Sequence, residues 1–429
     1  MFRYRQVRAS PAAGVPALLI LWVLVALPWL TAPVDGHVRG TSEQQADLTA
    51  DHEVRALWVV RSTLSSPDAI STMVEAAREG GFNTLLVQVR GRGDAYYIGS
   101  SEPRPPVLAA QTSFDPLADV ILKSHAVGLR VHAWVNVNLV ASAADLPAAR
   151  EHLVYRHPEW LMVPQALAVD LARVHPRSPE YLGRLARYIR RHANQLEGIY
   201  VSPLVEEAAN HAASIVRDIA TRYEVDGVHL DYVRFPSADF DYSPAALAAF
   251  RQSVLPYLAS ADQLRYDASA EQNPLVYTQV FSERWLTFRQ TQLARLVVKL
   301  RDAVKLARPS ALLSAAVVPD SGEAAEQRLQ DWEGWLARGL LDIVCPMAYT
   351  TDPAAFARQV SAARVVAGAQ PVWAGIGAYQ LSQPEIVANI RTARRLGVDG
   401  IILFSYDSLT GPRHGLEYLS AVGHAAFSE

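Results

Sequence analysis

Eight short apolar runs, separated by helix-like stretches, restrict this chain to very few folds. They are Val54–Val60, Phe82–Val89, Leu129–Val137, Gly227–Val233, Leu312–Val318, Asp342–Tyr349, Pro371–Ile376 and Gly400–Tyr406. Most are nearly continuous in Val, Ile, Leu and aromatic residues, as parallel strands covered by helices on both sides must be. Between them, Ser or Asp stands before Pro at Ser66-Pro67, Asp115-Pro116, Ser178-Pro179, Ser243-Pro244 and Asp352-Pro353. The first residue of each pair can cap free amides and the second is pre-set for a first helical turn. Gly80, Gly128, Gly339, Gly368 and Gly397 stand where helices should close. Strand and helix alternating eight times predict a (β/α)8 TIM barrel. Two longer stretches, Ala141–Pro203 and Ser237–Phe281, interrupt the rhythm. They are expected as insertions on the carboxyl-terminal face, where barrels build clefts. Gly198–Pro203 reads as a short extended piece within the first insertion, and a long helix is expected near Glu283–Ala307.

The N-terminal part has a different character. Arg3, Arg5 and Arg8 precede a charge-free stretch from Ala9 to Val34 with a dense apolar centre at Ala17–Leu27. That pattern predicts a signal peptide or an uncleaved membrane anchor over residues 1–36, a linker over 37–52 and the barrel over 53–429. The protein is therefore expected outside the cytoplasm, secreted or in the periplasm or cell envelope, with membrane contact only through the N-terminal segment. A net charge of −3 in 429 residues gives no basic stripe for nucleic acid. A single cysteine, Cys345, excludes an intrachain disulfide framework and a thiolate metal cluster.

The chemistry concentrates in Asp226-Gly-Val-His-Leu-Asp-Tyr-Val-Arg-Phe-Pro236. Side chains alternate along a strand, so His229 and Asp231 share one face, with Val228, Leu230 and Tyr232 on the other. An Asp at the carboxyl end of a barrel strand, followed by Tyr232 and Arg234, reads as an active-site floor. Nearby His229 and Arg234 are expected to keep Asp231 ionised. The competing reading is an Asp locked in an ion pair with Arg234.

Taken together, Arg55-Ala-Leu-Trp-Val-Val-Arg61, Gly81-Phe-Asn-Thr-Leu-Leu-Val-Gln-Val-Arg90, Gly93-Asp-Ala-Tyr-Tyr97, His132-Ala-Trp-Val-Asn136, the Asp226–Pro236 run, Pro346-Met-Ala-Tyr349 and Gly400–Tyr406 resemble the glycosyl hydrolase-like 10 family. The resemblance covers roughly Glu53 to Tyr418. It implies an envelope-bound or secreted barrel related to glycoside hydrolases. Tyr200-Val-Ser-Pro203 departs from the family's usual Asn/Asp-Pro pattern there.

Glycosidic cleavage usually employs two carboxyl groups, one protonating the leaving oxygen and the other serving as nucleophile or base. Asp231 is the first candidate, as nucleophile or base. For its partner the order is Asp94, Asp407, then Asp320 and Glu102, although an Asp in a rim loop commonly caps a turn or helix. Tyr349, Trp373 and Tyr406 are expected to stack on sugar faces. Trp58 and Trp134 could do the same or simply fill core. Arg90, His132, Asn136, His229 and Arg234 are the candidate partners for sugar hydroxyls. No cofactor is needed, and the expected partner is a polysaccharide or oligosaccharide. Two alternatives stay open. One is a non-catalytic carbohydrate-binding barrel. The other is a metal-dependent hydrolase or deacetylase using His132, His229 and Asp231, although the first strand lacks a His-x-His pair.

Overall fold

A computed structural model describes residues 53–427. The expected leader and linker, residues 1–52, lie outside the described residues. Among the described residues no helix is long and apolar enough to cross a membrane. The described residues form one compact unit.

The eight apolar runs form the staves of a closed parallel barrel. In chain order the strands are β1 (Val54–Val59), β2 (Thr84–Arg90), β3 (Arg130–Asn136), β4 (Leu139–Ser142), β5 (Gly198–Tyr200), β6 (Gly227–Asp231), β7 (Leu312–Val317), β8 (Ile343–Ala348), β9 (Trp373–Ile376) and β10 (Gly400–Phe404). The ring runs β1-β10-β9-β8-β7-β6-β3-β2, and β4 pairs with β5 outside it as a small antiparallel ribbon. The anticipated (β/α)8 fold is therefore the observed one, and Gly198–Tyr200 belongs to the insertion as expected. All five Ser/Asp-Pro pairs start helices, and each Ser or Asp side chain accepts an amide of the first turn. One helix end differs from expectation. Gly80 keeps φ −73°, and Gly81, at φ +72°, takes the left-handed position.

Register at the amino-terminal end of the barrel is held by a recurring device. Asn83, Asp226, Asp342 and Asp399 each stand just before a strand. Each donates its own N–H to a neighbouring carbonyl, of Arg55, Val131, Leu313 and Val372 respectively, at 2.9–3.0 Å. The side-chain oxygen of each then accepts the N–H of that same neighbour, at 2.7–2.9 Å. The seams so clamped are β1/β2, β3/β6, β7/β8 and β9/β10, which is every second seam of the ring.

The barrel interior is packed by alternating very large and very small residues, as layers of inward side chains require. Trp58, Trp134 and Trp373 point inward with Leu86, Ile343, Cys345 and Ile402. Glycines make room for them. A Cβ on Gly375 would meet Trp58 at 2.9 Å, one on Gly400 would meet Trp373 at 2.7 Å, and one on Gly227 would meet His132 Nδ1 at 2.3 Å. The long helix Ser282–Ala307 packs against Glu206–Arg222 on the outside. The two insertions are tied to each other. The buried Asp241 accepts Val163 N–H at 2.8 Å, and Tyr242 N–H donates to Val163 O at 2.8 Å.

The clamps generate a prediction. Replacing Asp226 with Ala removes a charged acceptor from Val131 N–H and from His125, and should cost about 1–3 kcal/mol in urea unfolding. Asp226→Asn keeps an acceptor and should retain most of that stability. Equal stability of the wild type and the Ala variant would show that the clamp carries no weight.

Candidate active site

A cavity of about 240 Å³ opens at the carboxyl ends of the strands. Asp231 lies in its lining and is the one carboxylate there among the described residues. It ends β6, in register with Asn136 at the end of β3. Directly after it Tyr232 adopts φ +50°, a left-handed conformation uncommon for a bulky side chain. This ends the strand two residues earlier than the apolar run suggested. It also brings Tyr232 into the cavity lining rather than onto the strand's outer face.

The carboxylate is held from two directions. Tyr232 N–H donates to Oδ1 at 2.6 Å, and Trp134 Nε1–H donates to Oδ2 at 3.1 Å. The same indole N–H also reaches Asn136 Oδ1 at 2.8 Å. Asp231 is only 9% exposed. Burial penalises its charge and pushes its pKa up to about 6, against the opposing pull of Arg234 and of the two N–H donors. The expected pull of Arg234 toward the ionised form is present, and burial outweighs it. Arg234 does not, however, lock it. Its guanidinium donates to Glu197 Oε1 at 2.7 Å and lies 4.8 Å over the Tyr232 ring.

Aromatic side chains form one side of the cavity. Trp58, Trp134, Tyr349 and Phe404 all line it. Tyr349 and Phe404 stack at 5.5 Å, and Trp58 meets both edge-on, at 6.2 and 6.0 Å. Trp58 and Trp134 thus fill core and also line the cavity. The remaining lining includes Val60, Arg61, Gln88, Arg92, Leu139, Ala316 and Met347.

Of the residues singled out from sequence, the cavity gathers Asp231, Asn136, Arg234, Tyr349, Trp58 and Trp134. Asn136 is already engaged, donating to Gly91 O at 2.7 Å and accepting from Trp134 and Gln88. The others have different employment. His229 is fully buried below the cavity, where its Nε2 accepts from Trp58 Nε1–H at 3.1 Å, so the ring proton is assigned to Nδ1, which donates to Ser314 Oγ at 2.8 Å. Burial lowers its pKa to about 3 and keeps it neutral. His132 lies deeper in the barrel, tilted against Trp373 with ring centroids 5.3 Å apart, and burial lowers its pKa to about 4. Neither histidine nor Trp373 lines the cavity. Arg90 forms a buried pair with Glu102 at 2.6 Å and donates to the Asn136 and Val137 carbonyls. Despite burial, Arg90 and His211 hold the Glu102 pKa down to about 2. Tyr406 is buried within the first turn of the helix Tyr406–Leu409.

The second-carboxylate candidates separate in the same way. Asp407 accepts Val60 N–H at 2.7 Å, Ser62 Oγ–H at 3.1 Å and Thr63 Oγ1–H at 2.6 Å, so it ties down the chain leaving β1. Asp320 caps the helix Ser321–Gln327. Asp94 accepts the Gly91 and Arg92 amides, and its Oδ2 lies 3.9 Å from Arg61 Nε, beside two cavity-lining arginines. Sequence reasoning did not single out Arg61, Gln88 or Arg92, and it placed Tyr232 beside the floor but on the strand's other face. Arg61 and Arg92 each lie two residues beyond the end of a barrel strand, a position that could have flagged them. The insertions contribute less than expected: no residue of 141–203 or 237–281 lines the cavity. The metal reading needed three ligands together, and no such His/Cys/Asp/Glu cluster occurs among the described residues.

The chain belongs to the glycosyl hydrolase-like 10 family, which it matches over residues 53–388. It is 22% identical over 209 residues to the glycosyl hydrolase YngK of Bacillus subtilis, covering 44% of this chain and 35% of that protein. It is 21% identical to the glycosyl hydrolase DigH of Escherichia coli, over 63% of this chain and 55% of that one. An S-layer-related protein of Niallia circulans is 22% identical over 84% of this chain and 24% of its own length. The chain thus spans about half or less of these curated relatives. Its fold is similar to the glycoside hydrolase domain of PgaB (BpsB) from Bordetella bronchiseptica, with a TM-score of 0.59 and 14% identity over 86% of this chain and 99% of that one.

The raised pKa of Asp231 has a consequence for stability. From its ordinary value of 3.8 to about 6, the folded protein holds a proton at this group that the unfolded chain has released. Stability from this group is therefore full below about pH 4 and is lost as pH rises through about 6. Urea unfolding of wild type and Asp231→Asn should show the wild type losing ground to the variant between pH 4 and 7, by up to about 3 kcal/mol. A difference that stays constant with pH would mean that Asp231 titrates normally.

Proposed function

We propose that this protein hydrolyses glycosidic bonds of an extracellular or cell-envelope polysaccharide, with Asp231 as the group that protonates the leaving oxygen. The observation that carries this reading is the placement of Asp231. It is the carboxyl of an aromatic-walled cavity at the carboxyl end of a barrel strand, and its pKa near 6 lets it hold a proton close to neutral pH. The raised pKa favours the acid role over that of nucleophile or base, because burial disfavours the charged form. In the reaction the Asp231 proton passes to the glycosidic oxygen, the bond from that oxygen to the anomeric carbon breaks, and a water oxygen bonds to that carbon while its released proton passes to a carboxylate, Asp94 or the deprotonated Asp231. The aromatic wall offers faces on which sugar C–H groups can pack. Asp94 is the best-placed second carboxyl, since it adjoins Arg61 and Arg92, which both line the cavity. Export to the envelope accords with the N-terminal sequence and with the S-layer-related relative.

One observation favours a different reading, a barrel that binds glycans without cleaving them: Asp231 has no second carboxylate beside it in the cavity lining. A panel of purified cell-wall and extracellular polysaccharides, scored for new reducing ends, separates the two. The hydrolase reading expects turnover that falls at least 100-fold in Asp231→Asn, the usual scale for a lost general acid. It also expects kcat/KM to fall as pH rises above about 6. A decline below pH 6 instead would make Asp231 the base or nucleophile. Glycan binding without any release of reducing ends would establish the binding barrel. Asp94→Asn should also lose at least about 100-fold, and full activity in it would remove Asp94 from the mechanism.

A further inference from the structure

We propose that Arg61 and Arg92 form an anion subsite in the cavity wall, so that the sugar held there carries an acidic group; this rests on the glycan reading of the cavity. The two arginines arrive from the turns after neighbouring strands β1 and β2, and both line the cavity with Asp231. Their backbone and side-chain supports are specific. Arg61 Nη1 donates to Gln88 Oε1 at 2.9 Å. Its guanidinium crosses Gly91 so closely that a Cβ there would lie 2.5 Å from Arg61 Cδ and Nη1. The Arg92 backbone is fixed at both ends, its N–H donating to Asp94 Oδ1 at 2.8 Å and its carbonyl accepting from His152 Nε2 at 2.7 Å.

What sets Arg92 apart is its guanidinium. Among the described residues it has no hydrogen-bond acceptor and no carboxylate within ion-pair distance, while it is half-buried in the lining of the cavity that Arg61 also lines. Burial, followed by repulsion from Arg61, lowers its pKa below the ordinary arginine value. The other arginine of the cavity shows the contrast: Arg234 is neutralised by Glu197 at 2.7 Å. Asp94 lies 3.9 Å from Arg61 Nε and offsets part of the charge of the pair, which leaves the pair positive. A half-desolvated cation without a counter-ion is costly, and an incoming anion would relieve both the desolvation and the mutual repulsion. Guanidinium forks pair best with flat or multidentate oxyanions, so a sugar carboxylate or a phosphate ester is the chemistry they fit. The substrate class is thus an acidic glycan rather than a neutral one.

The test is binding, which does not depend on turnover. In the full-length chain carrying Asp231→Asn, calorimetry would compare a hexuronic acid tetrasaccharide, the same tetrasaccharide after carboxyl reduction, and a neutral tetrasaccharide bearing one phosphate ester. The proposal expects an acidic probe to bind at least tenfold tighter than the carboxyl-reduced one, with the advantage shrinking as salt rises. Adding Arg92→Gln should cut that acidic-over-neutral ratio about tenfold, the scale of one charge-assisted hydrogen bond. Arg92→Lys should keep part of it. Preference for the uronate or for the phosphate ester tells which anion is taken. Equal affinity for acidic and reduced probes, or a preference indifferent to Arg92→Gln, overturns the subsite. Failure of the two readings is distinguishable. Neutral glycan turnover with no acid preference keeps the hydrolase and removes the subsite. Arg92-dependent acid binding with no reducing ends released keeps the subsite and removes the hydrolase.

Discussion

Asn83, Asp226, Asp342 and Asp399 hold every second seam of the barrel to one register, each gripping one residue of the adjacent strand by both its N–H and its C=O. Everything at the opposite end depends on that grip. Side chains alternate with period two, so a slip of one residue along β3 would turn Trp134 and Asn136 away from the interior, and one along β6 would turn Asp231 away. The Asp226 clamp sits on the seam that brings Asn136 opposite Asp231. The β1/β2 clamp at Asn83 likewise governs where Arg61 and Arg92 emerge, because they follow those two strands.

Within this frame the interior solves two problems at once. Three tryptophans inside a closed ring need space, and Gly375, Gly400 and Gly227 supply it where larger residues would collide with Trp58, Trp373 and His132. Their polar edges then need partners. Trp58 finds His229, which finds Ser314, and Trp134 finds Asn136 and Asp231. The candidate catalytic carboxyl thus belongs to the second of these two hydrogen-bonded groups. Its protonation is set by a contest between desolvation and the N–H groups that face it, and desolvation prevails. The charge balance of the cavity follows. A largely desolvated acid at its base and an under-compensated guanidinium pair in its wall leave it receptive to negative charge.

Particular residues show how far the chain could be read without coordinates. The strands and helix starts were legible because they are local: apolar runs of strand length, and Ser-Pro or Asp-Pro pairs that cap the turn they begin. Asp231 was legible because strand alternation and barrel polarity place it. Its partners were not. Asp407 and Asp94 both end strands in the sequence, yet Asp407 is consumed by three donors from the β1 turn, hundreds of positions away in the chain. His229 carries the right chemistry and the right face, but one layer lower it is sealed beneath Trp58. The role of Gly91 as the floor under Arg61 depends on a neighbour that no local pattern announces.

The amino-acid sequence on its own determined the elements, their alternation, their closure into an eight-stranded ring and the inward face of Asp231, because each follows from short-range periodicity and turn chemistry. Only the tertiary structure decided which charges meet: that Arg234 belongs to Glu197, Arg90 to Glu102, and that Arg61 and Arg92 line one cavity. Ionisation and pairing depend on distance and burial in three dimensions, and residues far apart in the chain come within reach of one another only when the ring closes.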